Sequence, residues 1–92
     1  MDRPKRIQRR RTKGWRKPPN TVYVGKGTPF GNKHDWRELG REEAVRRFKS
    51  DFLHDSLLQH LAMNRLKGKN LMCFCPLGER CHADVLLFFA NQ

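Results

Sequence analysis

The continuous apolar run at residues 70–75 is the feature that most constrains the fold of this chain. It reads Asn-Leu-Met-Cys-Phe-Cys and is bounded by Gly68 and Pro76. A short apolar run between such breakers is typical of a strand that is buried on both faces. Because both faces of a strand are buried only where other elements cover the sheet, the sequence predicts a sheet with helices packed on it.

The remaining elements are predicted from periodicity and from helix caps. They are a strand at 21–24, an amphipathic helix at 41–53, a second helix capped by Asp55 or Ser56, and a last helix from His82 or Ala83 to Ala90. The last helix is apolar all round, which predicts that it is well buried. This order favours a small single α/β domain with a short, mainly parallel sheet. Since two strands make a thin sheet, we expect either a third strand, in the N-terminal segment or near residue 34, or a homodimer that extends the sheet.

Positive charge is concentrated at the N-terminus. The 92-residue chain has a formal charge of +11, and residues 1–19 carry +8 of it, with nine Lys/Arg and one acid, Asp2. A basic arm attached to a nearly balanced globule at 20–92 is expected to attract polyanions such as nucleic acid. The alternative is a solvated terminus that only raises solubility. The arm residues predicted to contact nucleic acid or phosphate are Arg9, Arg10, Arg11, Lys13, Trp15 and Arg16.

Cysteine usage and hydropathy indicate the compartment. All three cysteines lie at 73–81, which fits a reducing compartment better than a disulfide framework. No apolar run approaches the roughly 20 residues that cross a bilayer, and the first residues lack the apolar region of a secretory signal. We therefore expect a cytoplasmic protein of a bacterial cell with no membrane partner.

The turn at residues 73–84 contains the most specific pattern of the chain. In open α/β sheets, ligands bind in the crevice beyond the carboxyl ends of the strands, and this turn is predicted to line that crevice. Arg80 and His82 lie at the start of the last helix, where free backbone N–H groups favour an anion. If the two predicted strands are parallel neighbours, Lys26 and Asn32 emerge at the same edge. We predict that these four side chains contribute to a phosphate-binding site.

Three interpretations of the Cys/His turn stay open. In the first, the three cysteines and His82 hold zinc; the ligand types fit, but the spacing departs from the usual two to four intervening residues, so we assign no metal and no cofactor. In the second, Cys81 is a nucleophile, His82 a general acid or base and Asp84 the orienting carboxylate. In the third, Cys73 and Cys75 are small apolar residues of the strand, and Cys81 or His82 caps the helix.

Several strings of the sequence resemble one family. They are Arg9–Arg16, Asn20–Gly25, Gly31-Asn32, Arg41–Val45, Leu66–Leu71, Cys73-x-Cys75-Pro76 and Cys81–Leu86. Together they resemble a small bacterial and phage domain-of-unknown-function family, four-three-two-six in that series, over nearly the whole chain. The resemblance implies that the arm belongs to the domain and that Trp15 packs near the site.

Two departures limit what the resemblance carries over. Gly27 and Lys33 stand where the family pattern leads us to expect proline, so the shape of that loop is not transferred. The Cys-His step also resembles a larger uncharacterised family with a Cys-His-Arg string, but Ala83 replaces that arginine, so its role is not transferred either.

The functional hypothesis combines the arm with the Cys/His turn. We predict a small basic phage or bacterial protein that binds a phosphate-bearing ligand, either nucleic acid or a nucleotide. One alternative is an enzyme that acts on a nucleotide or nucleic acid through Cys81, His82 and Asp84. Another is a phage protein that inhibits a host protein. Whether the chain is an enzyme is left open at this point.

Overall fold

The computed structural model describes residues 3–92 and shows an α/β fold with a three-stranded parallel sheet, as the sequence predicts. The strands are β1 (Arg6–Gln8), β2 (Thr21–Tyr23) and β3 (Asn70–Cys73). The helices are α1 (Trp36–Leu39), α2 (Arg41–Leu53), α3 (Ser56–Leu66) and α4 (His82–Ala90). Within residues 3–92, no helix combines the length and the apolar character that crossing a bilayer requires.

The sheet has the order β1-β3-β2, so the predicted buried strand is its centre. Ile7 and Tyr23 both lie opposite Met72, on either side of β3. The third strand comes from the basic arm, one of the two places where the sequence allows it, and no second copy is needed to supply it. The globule therefore does not begin at residue 20, because part of the arm completes its sheet.

Helix α4 forms the layer between the sheet and the other helices. It packs on β3 and β1 from one side and contacts α2 and α3 on the other. Leu71 of β3 and Leu86 of α4 are fully buried in this layer, together with Phe52 and Leu66 from the outer helices. Because α4 lies directly under the sheet, its N-terminus is placed beside the carboxyl end of β3.

The predicted bounds of α2 and α4 agree with the observed ones, whereas β2 ends at Tyr23 rather than Val24 and α1 is not predicted. Asp55 caps α3 by accepting a hydrogen bond from the Leu58 N–H at 3.0 Å, as predicted. The strand β3 ends at Cys73 rather than Cys75, because the chain turns there toward α4, and Phe74 is 38% exposed. The prediction that α4 is well buried holds for one side of the helix only, since Leu86 is fully buried whereas Phe88 is 62% exposed.

Candidate functional site

The candidate site lies at the carboxyl edge of the sheet. All three strands are parallel, so the residues that follow each strand meet at this edge. The backbone N–H of Arg9 donates to the Cys73 carbonyl at 2.7 Å, and the N–H of Val24 donates to the Met72 carbonyl at 2.9 Å. These two bonds tie the chain after β1 and after β2 to the end of the central strand.

Two arginines of the arm stack on aromatic rings at this edge. The Arg9 guanidinium lies 4.9 Å from the Tyr23 ring centroid and 5.2 Å from that of Phe74. Arg11 lies 4.8 Å from the Phe74 centroid, and the two rings pack edge to face at 6.1 Å. Lys26 is exposed in the loop after β2. We refer to Arg9, Arg11, Tyr23, Lys26 and Phe74 as the basic edge.

The stacking orders the arginines without neutralising them. A guanidinium held by its flat face keeps the N–H donors along its rim free for an oxygen ligand. Within residues 3–92, no carboxylate lies within ion-pairing distance of Arg9, Arg11 or Lys26, and all three are exposed. The basic edge therefore presents ordered positive charge to solvent.

Gly25 allows the Tyr23 ring to lie where it does. A Cβ atom at residue 25 would overlap the Tyr23 ring, whereas a Cβ at Gly78 would meet nothing within 4 Å. We expect Gly25→Ala to displace the ring from Phe74 and Arg9 while the fold is retained, because the far end of a side chain can move. Gly78→Ala is the matched control. The check is the NMR signals of the Tyr23 and Phe74 rings and of the Arg9 Nε–H, and unchanged signals in Gly25→Ala would contradict this account.

The three cysteines converge beneath the basic edge to form what we call the thiol cluster. Their sulfur atoms all lie within 4.8 Å of one another. The Cys73 and Cys81 sulfurs are 2.8 Å apart, and both residues are buried, whereas Cys75 is half-buried. All three thiols are free. The fold thus brings the three sulfurs together although their spacing in the sequence is not that of usual zinc ligands.

The cluster shifts the protonation of its members in opposite directions. The hydrogen bond with Cys73 lowers the pKa of the Cys81 thiol, with further help from Cys75, the Ala83 N–H and Arg6, while burial opposes it. The contacts with Cys75 and Cys81, together with burial, raise the pKa of Cys73 above the ordinary thiol value. Of Cys73 and Cys81, Cys81 is therefore the thiol that ionises more readily.

His82 points into the protein rather than toward solvent. Its Nε2 lies 2.7 Å from the Val24 carbonyl oxygen, and its ring packs edge to face on Phe48 at 5.2 Å. Burial lowers the pKa of His82, against the effect of the Val24 carbonyl. His82 is 7% exposed and its Nε2 is already bonded to Val24, so the structure does not place this ring at the surface, where it would meet a phosphate.

Arg6 fixes the turn that carries the cluster. Its Nη2 donates to the carbonyls of Pro76, Leu77 and Glu79 at 3.1, 2.7 and 2.7 Å. Its Nη1 lies 3.4 Å from Asp84 Oδ2 but makes no hydrogen bond within residues 3–92, and the side chain is 8% exposed. From the sequence, Arg6 is predicted only as one of the nine basic residues of the arm. Its inward direction would have been predictable had residues 6–8 been recognised as a strand.

Asp84 belongs to a helix cap and not to a catalytic triad. The Cys81 N–H donates to Asp84 Oδ2 at 3.3 Å, and the Cys81 side chain reciprocates at the start of α4. In the described part of the chain, no hydrogen bond joins Asp84 to His82. The predicted arrangement of nucleophile, base and orienting carboxylate is therefore not assembled, and Cys81 occupies the N-cap position of α4.

The other predicted anion contacts are spread over the surface. Asn32 makes internal hydrogen bonds: its amide donates to the Ala44 carbonyl and its Oδ1 accepts from the His34 N–H, both at 2.9 Å. Arg80 is exposed, 3.7 Å from Glu42, in a groove between α2 and α4. Arg10 and Trp15 line a depression of about 500 Å³ alongside β1. Lys13 and Arg16 are exposed.

Two residues of the basic edge, Tyr23 and Phe74, are not predicted from the sequence as site residues. Tyr23 and Phe74 were assigned only to strands, and neither was considered as a partner for arginine. A signal was present, since each aromatic residue lies at or just beyond the carboxyl end of a predicted strand, where ligand-facing side chains gather.

Comparison with known proteins identifies the family. A family model described as Domain of unknown function (DUF4326) matches residues 7–92. The chain belongs to this family. The match begins within β1, so the DUF4326 domain includes most of the basic arm. No curated protein and no solved structure matches the chain.

Proposed function

We propose that this DUF4326 protein binds nucleic acid through the basic edge. The observation that carries the proposal is the stacking of Arg9 and Arg11 on Phe74 at the carboxyl edge of the sheet. Arginines with free rim donors match the geometry of phosphate oxygens, which accept two parallel hydrogen bonds from one guanidinium. The ligand class is therefore one that presents phosphates along a surface.

The charge distribution supports a polymer over a single phosphate. The arm continues from Arg11 through Lys13, Arg16 and Lys17, all exposed. A chain of phosphates can engage several of these residues in turn, and each contact releases counterions from the polymer. Stacking on aromatic residues is a common way to hold single-stranded bases, and the arm itself contains an aromatic residue, Trp15, which lines the depression alongside β1. We therefore propose single-stranded nucleic acid as the ligand.

Replacing the two stacked arginines tests the proposal. We expect Arg9→Gln with Arg11→Gln to weaken binding of a fluorescent single-stranded oligonucleotide by about 10-fold or more at low salt. Because each phosphate contact on a single strand contributes roughly 0.7 to the slope of log affinity against log salt, the slope should become shallower by about 1.4. Fluorescence anisotropy over a salt series measures both quantities. Point substitutions are preferable to removal of the arm, which would also remove β1.

Matched variants separate this site from general charge. Arg47→Gln with Arg65→Gln removes the same charge from exposed positions on α2 and α3 and should change affinity far less. Phe74→Leu keeps the charge but removes the platform under both arginines, so we expect a partial loss. The proposal is wrong if the folded protein retains no oligonucleotide at low salt, or if the helix variant loses as much affinity as the arm variant.

Competition distinguishes a polymer from a mononucleotide. We expect a nucleoside triphosphate to displace the oligonucleotide only when the concentration of its phosphate groups is far above the concentration of phosphate groups in the oligonucleotide. Displacement at equal phosphate concentration would instead make a nucleotide the ligand. The catalytic alternative has less support, because Cys81 is only 1% exposed and Asp84 is held by the helix cap.

A further inference from the structure

We propose that this protein holds one zinc ion, whose ligands are the three sulfurs of the thiol cluster and Nδ1 of His82. The site is separate from the basic edge and does not depend on the proposed binding of nucleic acid. It rests on the convergence of the sulfurs, on the orientation of the imidazole and on a buried arginine beside them.

The sulfur positions suit a small soft cation. Zinc binds thiolate at about 2.3 Å in tetrahedral sites, which places two sulfur ligands roughly 3.8 Å apart. The three sulfurs lie within 4.8 Å of one another, with the closest pair at 2.8 Å. Zinc binding would therefore move the Cys73 and Cys81 sulfurs about 1 Å further apart, and Cys75, half-buried just after the end of β3, completes the sulfur set. Three thiolates with one imidazole are a common ligand set for structural zinc.

His82 is oriented as a metal ligand usually is. A carbonyl oxygen only accepts hydrogen bonds, so the 2.7 Å contact with Val24 places the ring proton on Nε2. Nδ1 then keeps its lone pair, and it lies 3.6 Å from the Cys81 sulfur. Metal-bound histidines commonly donate their second nitrogen to a backbone carbonyl in this way, which fixes both tautomer and ring direction.

Arg6 supplies the charge that such a site requires. Three thiolates and one zinc ion leave a single net negative charge, which is costly to bury without a counterion. The Arg6 guanidinium is buried beside Cys81, and its Nη1 has no hydrogen-bond partner within residues 3–92. An anionic metal centre would share the Arg6 charge with Asp84, which lies 3.4 Å from Nη1, and would give this nitrogen a hydrogen-bond acceptor among the thiolates.

The unusual ligand spacing follows from the shape of the turn. Residues 76–79 form a tight turn, with the Glu79 N–H donating to the Pro76 carbonyl at 3.1 Å. This reverses the chain so that Cys81, in extended conformation at the N-cap of α4, returns to the end of β3. His82 comes next on the first turn of the helix, so two adjacent residues reach one point without a conventional zinc-knuckle loop.

Metal content and cobalt substitution test the site. We expect the purified, reduced protein to contain or take up one zinc per chain. Cobalt(II) in its place should give the intense thiolate-to-cobalt charge-transfer absorption and the visible bands of a tetrahedral ion. Cys81→Ser is the first variant, because serine caps a helix well and the fold should persist. We expect it to weaken zinc binding at least about 10-fold, as measured by competition with a chromophoric chelator.

Two more variants assign the remaining ligands. Cys75→Ser should reduce the charge-transfer intensity per cobalt, because one sulfur is lost. His82→Asn should weaken binding while the charge-transfer intensity of three sulfurs is retained, and His60→Asn, at an exposed histidine, is the control that should change neither. Circular dichroism of every variant confirms that the fold is retained.

Specific results would overturn the proposal. Folded wild-type protein with three titratable thiols that takes up neither zinc nor cobalt would show that the cluster is only packing and a helix cap. Wild-type affinity in Cys81→Ser would lead to the same conclusion. Zinc affinity in His82→Asn equal to that of the wild type would overturn the assignment of the fourth ligand.

Discussion

Arg6→Ala is expected to lower the free energy of unfolding by roughly 2–4 kcal/mol, given that hydrogen bonds to charged groups contribute about 1.5–3 kcal/mol each. The variant loses the three carbonyl contacts that hold the turn and the ion pair with Asp84. The expected loss of free energy is smaller than the sum of three such hydrogen bonds. Pro76, Leu77 and Glu79 are exposed, so their carbonyls can form hydrogen bonds with water in the variant. Urea unfolding at fixed salt measures the change.

One further substitution at Arg6 and one control complete the comparison. Arg6→Lys keeps the charge but lacks the planar fork, so it should recover only part of the loss. Arg16→Ala removes an exposed arginine of the same arm and should change stability by no more than about 0.5 kcal/mol. Looser anchoring of the turn should also speed alkylation of Cys75 in Arg6→Ala. Equal stability and alkylation rates in Arg6→Ala and wild type would show that Arg6 does not hold the turn.

Leu71→Ala is expected to cost about 2–5 kcal/mol, the range for removing a large buried aliphatic side chain. Leu71 is 0% exposed at the centre of the middle strand, where it packs in the core that α4 completes. The total free energy of unfolding of a domain of this size is roughly 5–14 kcal/mol, so the substitution removes a large share of the stability. Because each kcal/mol corresponds to about 4–8 °C in a domain of this size, thermal unfolding should show a fall in Tm of roughly 8–40 °C.

The matched control for Leu71 is another leucine. Leu57 lies in the first turn of α3 and is 75% exposed, so Leu57→Ala makes the same chemical change with almost no buried area lost. We expect it to leave Tm within a few degrees, in keeping with surface substitutions of about 0.5 kcal/mol or less. Similar losses in the two variants would mean that Leu71 does not sit in the core.

The longer elements could be predicted from sequence because their signals are local. The stripe of Ala44, Val45, Phe48 and Phe52 defines α2, and the Asp55 cap marks the start of α3. By contrast, β1 is three residues inside a run of positive charge, too short to show an alternating pattern. Its pairing with β3 joins Arg6 to Leu71, and nothing local in either segment encodes that contact.

The candidate site could be predicted only in part, for the same reason. The carboxyl edge and the start of α4 were correctly expected to lie together, since parallel strands fix that geometry. Whether a side chain turns outward depends on partners distant in sequence, such as Val24 for His82. The usual spacing of zinc ligands, with two to four intervening residues, describes ligands on a knuckle loop. It does not predict the thiol cluster, whose cysteines lie at the end of a strand and at the cap of a helix.

The position of β3 between the other two strands has a consequence for synthesis of the chain. Strands β1 and β2 pair only with β3 within residues 3–92, and β3 is made last of the three. No strand ladder can therefore form until β3 has left the ribosome, and contacts so far apart in sequence slow folding. Until then, the basic segment that contains β1 has no strand to pair with.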